Sequence, residues 1–228
     1  MRITHLWHYP VKSLAGEPLT QTRLDRGGMP FDRQYIIMDG ETTRKGNALT
    51  ARVVSDLLAY RATVDAGAVR VSAPDGRIFP ADETLSSHLA SALGRPLWVQ
   101  AAPAGAAPFH DAHDILVLNA ASVRELEREW AKPLDPLRFR PNVMLDGDDL
   151  EPYLENTWVG RRFSVGEAVL EGAALDQRCV LPTIDPQSLA RDPTLLRLIV
   201  ERHNQCFGLY CRVLAAGKIV LGDEWRLG

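Results

Sequence analysis

The residues best suited to chemistry lie in one run, Asp176-Gln177-Arg178-Cys179-Val180-Leu181-Pro182-Thr183-Ile184-Asp185-Pro186, where a cysteine follows an arginine at the end of a β-rich segment. A guanidinium beside a thiol favours the thiolate, which is both a nucleophile and a soft metal ligand. A buried structural thiol accounts for the same residues, because free cysteines are among the most buried side chains. On the residues alone both readings stand. Asp185, which precedes a proline, is read as ordering the loop after the cysteine rather than as moving protons.

The other candidates are weaker. Cys206 and Cys211 flank Phe207-Gly208-Leu209-Tyr210, which is neither a CxxC redox nor a zinc spacing, and both are read as structural thiols. His5, His8, His88, His110 and His203 form no HExxH arrangement, and there is no G-x-S-x-G elbow or P-loop. Zinc hydrolases, serine hydrolases of that type and P-loop enzymes are therefore disfavoured.

The elements that must position the cysteine are mostly short strands. In the first hundred residues RITHLWHYPV, LTQTRLD, RQYIIMD, LAYRATVDA, VRVSA and RIFPA alternate with turn signals such as Asp39-Gly40 and Asp75-Gly76, which suits a small barrel or sandwich. One helix interrupts them, with Thr84 expected as its cap, Leu85, Leu89 and Leu93 as its inner stripe, and Gly94 and Pro96 ending it. The stretch APAGAAP at 102–108 is the expected linker, dividing the chain into domains 1–105 and 106–228. Beyond it come a buried-type strand, ILVLN, and a helix with Ser122 and Glu125 in capping-box spacing and Val123, Leu126 and Trp130 on one face. NVMLD, RRFSVG and AVLEGAALD read as strands, and LYCRVLA and KIVLGDEW as a final pair joined through Ala216-Gly217. A late helix is expected to start at Asp192 and Pro193, with Leu196, Ile199, Val200 and His203 inward. The fold class is thus mainly β with a few helices, an α+β chain.

Composition excludes several partners. Hydrophobic residues make up 46% and charged residues 24% of the 228 residues, ordinary globular usage, and the net charge of -3 with no basic run gives no electrostatic case for nucleic acid as the main partner. No secretory signal is visible in MRITHLWHYPVK and no apolar run reaches membrane-spanning length, so no membrane partner and a cytoplasmic location are expected. Three cysteines suit free thiols in a reducing compartment and are too few for a four-cysteine iron–sulfur cluster.

Taken in order, FRPN (139–142), RCVLPTIDP (178–186), FGLYCRV (207–213) and KIVLGDEW (218–225) resemble a MOSC domain. YPVKSL (9–14) and FDRQYIIMD (31–39) resemble the β-barrel domain that precedes MOSC in the mitochondrial amidoxime-reducing components and their bacterial relatives. The resemblance implies an N-terminal small β-barrel domain packed on a C-terminal MOSC β-barrel domain. It also implies a molybdenum–molybdopterin cofactor whose protein sulfur ligand, and catalytic group, is Cys179. Lys12, Ser13, Arg33, Arg140, Arg178 and Tyr210 match the family's binding positions, and arginine forks and a lysine point charge suit phosphate and pterin oxygens. Arg33 and Arg140 fall in different expected domains, which puts the expected cofactor between them.

His113 and Asn142 complete the expected set. Asp111-Ala112-His113 stands where the family has a polar turn at the cofactor, but Ala112 offers no donor, which leaves His113 for that role. For Asn142, a hydrogen-bonded strand-end residue is as good a reading as a cofactor contact.

By resemblance the activity is reduction of small N-hydroxylated or N-oxygenated compounds, with electrons from an external donor such as a ferredoxin-type protein and its reductase. The alternative is a cofactor carrier or sulfur-transfer protein holding a persulfide on Cys179, formed without pyridoxal phosphate.

Overall fold

The computed structural model of the chain describes residues 1–41 and 47–228. Its strands in chain order are β1 (Arg2–His8), β2 (Glu17–Leu19), β3 (Gln21–Leu24), β4 (Tyr35–Asp39), β5 (Ala48–Leu49), β6 (Arg61–Asp65), β7 (Ala68–Ser72) and β8 (Ile78–Pro80). After helix α1 (Glu83–Leu93) come β9 (Leu97–Ala101), β10 (Ile115–Asn119), α2 (Ala120–Trp130), β11 (Val143–Asp146), β12 (Arg162–Val165) and β13 (Ala168–Gln177). Helix α3 (Pro193–His203) precedes β14 (Cys206–Ala215), β15 (Gly217–Val220) and β16 (Trp225–Leu227). The chain is therefore mainly β with a few helices, as its alternating segments imply.

The residues form two compact units. One comprises Met1–Trp7, Pro18–Pro30 and Asp111–Gly228, the other His8–Glu17 and Phe31–His110. This differs from the expected contiguous division at 105/106, because the first strand and the segment 18–30 belong with the C-terminal half. Strand pairing, which ignores sequence order, assigns them there.

The larger unit is built on an eight-stranded sheet of order β16-β12-β13-β14-β10-β11-β1-β2. Its β10 is the apolar run ILVLN, buried at every residue, as suits a strand flanked on both sides in a sheet. β10 and β11 are parallel, which requires a crossover, and α2 supplies it. The core gathers Ile3, Leu6, Val117, Phe163, Leu170 and Trp225. Fully burying a side chain such as Leu170 contributes about 2 kcal/mol. The smaller unit has two three-stranded sheets, β5-β4-β9 and β6-β7-β8, with α1 between β8 and β9 in sequence. The expected turn at Asp75-Gly76 joins β7 to β8, and Gly76 uses its freedom at φ 84°.

Local expectations need four corrections. α1 is capped by Asp82, whose carboxylate accepts the Thr84 N–H at 2.8 Å, not by Thr84. α2 starts at Ala120 with Asn119 as its cap, so Ser122 is inside the helix and donates to Glu155 instead of forming a capping box. α3 begins at Asp192-Pro193 as expected but turns Leu195 and Ile199 inward and leaves Val200 exposed. β15 pairs with β3, Lys218 facing Arg23, rather than with β14. No helix among the described residues is long and apolar enough to cross a membrane.

Candidate functional site

Cys179 follows the end of β13, and the pairing of β13 with β14 prepares its position. That ladder shifts register between Gly172 and Ala174 and again between Leu175 and Gln177, irregularities that bend a strand and re-aim its end. Gln177 still faces Cys206. One residue on, the Arg178 N–H donates to the Gln205 carbonyl at 2.7 Å, and Gln205 Nε2 donates back to the Arg178 carbonyl at 2.8 Å.

The Arg178 side chain is buried and largely engaged by the fold. Nε donates to the Phe207 carbonyl at 2.8 Å, and Nη1 lies 2.8 Å from Asp176 Oδ2 and donates to the Phe139 carbonyl at 3.2 Å. The guanidinium also lies over the Phe139 ring, 5.0 Å from its centre. Nη2 alone has no hydrogen-bond partner among the described residues. It sits beside Gly208, where φ is 90° and an added Cβ would lie 3.3 Å from Nη2 and 2.7 Å from Leu118 Cδ2. Arg178 thus combines a structural clamp with one unused donor, rather than presenting a free charge to the thiol.

The loop after Cys179 is equally constrained. A 3-10 turn spans Leu181–Thr183, and the Thr183 hydroxyl donates to the Val180 carbonyl at 2.7 Å. Asp185 accepts from the Ser188 N–H at 2.8 Å, the Ser188 hydroxyl at 3.0 Å and the Gln187 N–H at 3.1 Å. The Ser188 amide above all, then these other donors and the Arg138 charge, hold its carboxyl below the usual range against the effect of partial burial. Asp185 orders the loop, as expected. Arg138 and Phe139 belong to a second 3-10 turn, Pro136–Phe139, and Arg140 follows it in the left-handed region at φ 54°.

The three thiols differ in surroundings. Cys211 is fully buried in β14, where desolvation first and Asp114 second push its pKa strongly upward. Cys206 is half-buried at the start of β14, and burial with the Asp176 charge raises its pKa against the opposing Arg178. Cys179 is also half-buried but stands in the loop, outside the strand ladder.

Other expected residues have distinct placements. Asn142 is 1% exposed; its side-chain oxygen accepts the Leu116 N–H at 3.0 Å and its amide donates to the Trp7 carbonyl at 3.2 Å. Both ends of that side chain tie β10 and β1 to β11, so the cofactor-contact reading gives way to the strand-end one. His113 meets Tyr210 edge-on at 5.9 Å, which joins the turn before β10 to β14. Arg178 holds the Phe139 carbonyl directly before Arg140, which ties the segment leading into Cys179 to the Pro136–Phe139 turn.

In the smaller unit Lys12, Ser13 and Arg33 lie on neighbouring segments. The Lys12 N–H donates to Tyr35 at 2.8 Å, and the Arg33 N–H donates to Tyr9 at 2.8 Å. Ser13 and Arg33 both have left-handed backbones, φ 73° and 53°. The Arg33 guanidinium lies 5.0 Å from the centre of the Tyr9 ring and pairs with the buried Asp32. Burial alone would raise the pKa of Asp32, but Arg33 first, then His110 and the Tyr9 N–H, bring it to about 2.

Residues 105–226 match the model of the MOSC domain, and residues 1–92 that of the MOSC N-terminal beta barrel domain. The chain belongs to the MOSC family. This MOSC chain is 23% identical over 283 aligned positions to mitochondrial amidoxime-reducing component 1 of Homo sapiens, covering 97% of the chain and 81% of that protein. It is 24% identical over 238 positions to molybdenum cofactor sulfurase of Caenorhabditis briggsae, covering 92% of the chain but only 33% of the sulfurase. The YUAD protein from Bacillus subtilis shares the fold, with a TM-score of 0.55, 15% identity, and coverage of 98% of this chain and 93% of that one. By their names, the first of these relatives belongs to an amidoxime-reducing component and the second is a molybdenum cofactor sulfurase.

Sequence reading missed Arg138 and Asp32, and it named Asp176 at the head of the cysteine run without giving it a role. Each is a charged residue within or next to a motif, Asp176 before Arg178, Arg138 before FRPN and Asp32 inside FDRQ. For Asp176 and Asp32 the signal is that an arginine destined for burial needs an anionic partner close by; Arg138 carries no such local signal, since its acceptors lie at Pro182 and Asp185.

Proposed function

We propose that this MOSC protein holds a molybdenum–molybdopterin cofactor through Cys179 and reduces small N-hydroxylated or N-oxygenated compounds with electrons from an outside donor. The observation that carries the reading is the setting of Cys179, a half-buried thiol outside the ladder on a loop tied down before and after it. The donor set fits such a group. One protein sulfur is what a metal already held by a dithiolene requires, and the buried Arg178 Nη2, cradled by Gly208, is a donor still without an acceptor among the described residues. The name of the sulfurase relative supports the same cofactor, and that of the amidoxime-reducing relative supports the reaction.

When bound, the cofactor supplies the two-electron chemistry that cleaves the N–O bond. For an N-hydroxylated substrate, R–NHOH with two electrons and two protons gives R–NH2 and water. The chain's own part is to offer the Cys179 sulfur from a fixed loop and to meet acceptor atoms with Arg178. Within the larger unit Arg140 and Tyr210 offer a cation and a hydroxyl that suit phosphate and pterin oxygens, with His113 as a further donor. Electrons come from a partner in this reading, and a ferredoxin-type protein with its reductase is the proposed source.

The test is turnover. Cofactor-loaded protein given a reduced viologen should convert an amidoxime to the amidine over many cycles, and Cys179→Ser should not. The sulfurase relative favours one competing reading, a carrier or persulfide protein. Loaded protein that gives no more than one turnover across a panel of N-oxygenated substrates, yet activates an apo-molybdoenzyme, would replace the reductase with that carrier.

A further inference from the structure

Both flanks of Cys179 are fastened to the same short turn, Pro136–Phe139. Arg178, one residue before the thiol, donates to the Phe139 carbonyl at 3.2 Å. Arg138, inside the turn, reaches the other flank: Nη1 donates to the Pro182 carbonyl at 3.1 Å and Nη2 to Asp185 Oδ2 at 2.7 Å. Arg138 is 7% exposed, and its guanidinium lies 5.4 Å from the centre of the Trp130 ring. Trp130 is itself fixed by a 2.9 Å hydrogen bond from its indole N–H to Thr194.

We propose that Arg138 is a positioning residue for Cys179, setting the direction in which the loop presents the thiol. Burying a guanidinium carries a desolvation penalty that an apolar side chain of the same size avoids, so filling space does not account for an arginine here. What the arginine adds is a rigid planar fork that holds two acceptors, three residues apart in the loop, in one fixed relation. A lysine reaches one of them at a time. Asp185 completes the device, because its other oxygen gathers the Ser188 and Gln187 donors and so passes the constraint on to residues 185–188. That the thiol is positioned toward a metal rests on the cofactor reading above; that Arg138 fixes the thiol does not.

The test uses the full chain, produced in a host without pterin cofactor synthesis, and iodoacetamide as the probe. Alkylation of each cysteine is followed by mass spectrometry. Fully buried Cys211 reports general opening of the fold and Cys179 reports the loop. In Arg138→Ala, Cys179 should react about fivefold faster or more with the Cys211 rate unchanged, the pattern of local rather than global opening. Asp185→Asn should shift Cys179 in the same direction by less, and Arg138→Lys should restore part of the wild-type protection. An unchanged Cys179 rate in the Ala and Asn variants, or a rise only in step with Cys211, would overturn the proposal. If Arg138→Ala does not fold, the Asn and Lys variants decide it by the same criteria. Faster Cys179 alkylation in these variants, together with full molybdenum content in cofactor-loaded Cys179→Ser, would support the positioning role and overturn the cofactor reading.

Discussion

Asp176 and Arg178 hold each other at 2.8 Å, both buried, in the residues leading directly into Cys179. Removing one member of a buried pair leaves the other charge unanswered in a medium that solvates it poorly, at a cost of about 3–5 kcal/mol. Asp176→Ala should therefore lower the unfolding free energy by about 3 kcal/mol in urea titrations, and a loss below about 1 kcal/mol would show that the pair contributes little.

Gly208 faces the same guanidinium. Its φ of 90° is strained for any residue with a Cβ, and the added atom would lie 2.7 Å from Leu118 Cδ2. Gly208→Ala should cost about 2 kcal/mol, from overpacking and backbone strain together. Calorimetry checks this, and an unchanged melting temperature would mean that β10 and Arg178 yield without cost.

The acid limb of stability should contain a contribution from Asp32. Its folded pKa of about 2 lies below the ordinary aspartate value, so the contribution is present above that ordinary value and is lost as pH falls through about 2. The shift corresponds to about 2 kcal/mol. Asp32→Asn should flatten the loss of stability between about pH 4 and 2. An acid slope identical to wild type would contradict the assignment.

Glu155 should act with the opposite sign. Burial raises its pKa, although hydrogen bonds from Ser122 and Asn119 pull it down, and Oε1 has no partner among the described residues. Its contribution is complete below the ordinary glutamate value and is lost as pH rises through the elevated folded one. Glu155→Gln should remove that loss, which stability measured at stepped pH upward from about 4 will register. A wild-type pH dependence in the variant would exclude Glu155 as its source.

Much of this was legible because it is local. The β14 segment LYCRVLA, the buried run ILVLN and the Asp192-Pro193 start of α3 carry their own periodicity or capping chemistry, and the structure uses them that way. What escaped depends on distant parts of the chain. Nothing near Lys218 announces that its partner is Arg23, and nothing near Arg138 announces that its acceptors lie at Pro182 and Asp185. Asn142 looked equally suited to a cofactor or to a strand end until its two partners, Leu116 and Trp7, came into view. The cap of α1 was missed for a smaller reason: Asp82 and Thr84 both have capping chemistry, and only the backbone path selects Asp82.

The most direct measurement is molybdenum per folded chain for wild type, Cys179→Ser, Cys206→Ser and Cys211→Ser, all made in a cofactor-competent host. A serine hydroxyl is a hard, protonated donor in place of a soft thiolate. The account predicts that Cys179→Ser folds but loses molybdenum, while the other two keep it. Near-stoichiometric molybdenum in folded Cys179→Ser, or its loss from a folded Cys206 or Cys211 variant, would contradict the assignment of Cys179 as the ligand.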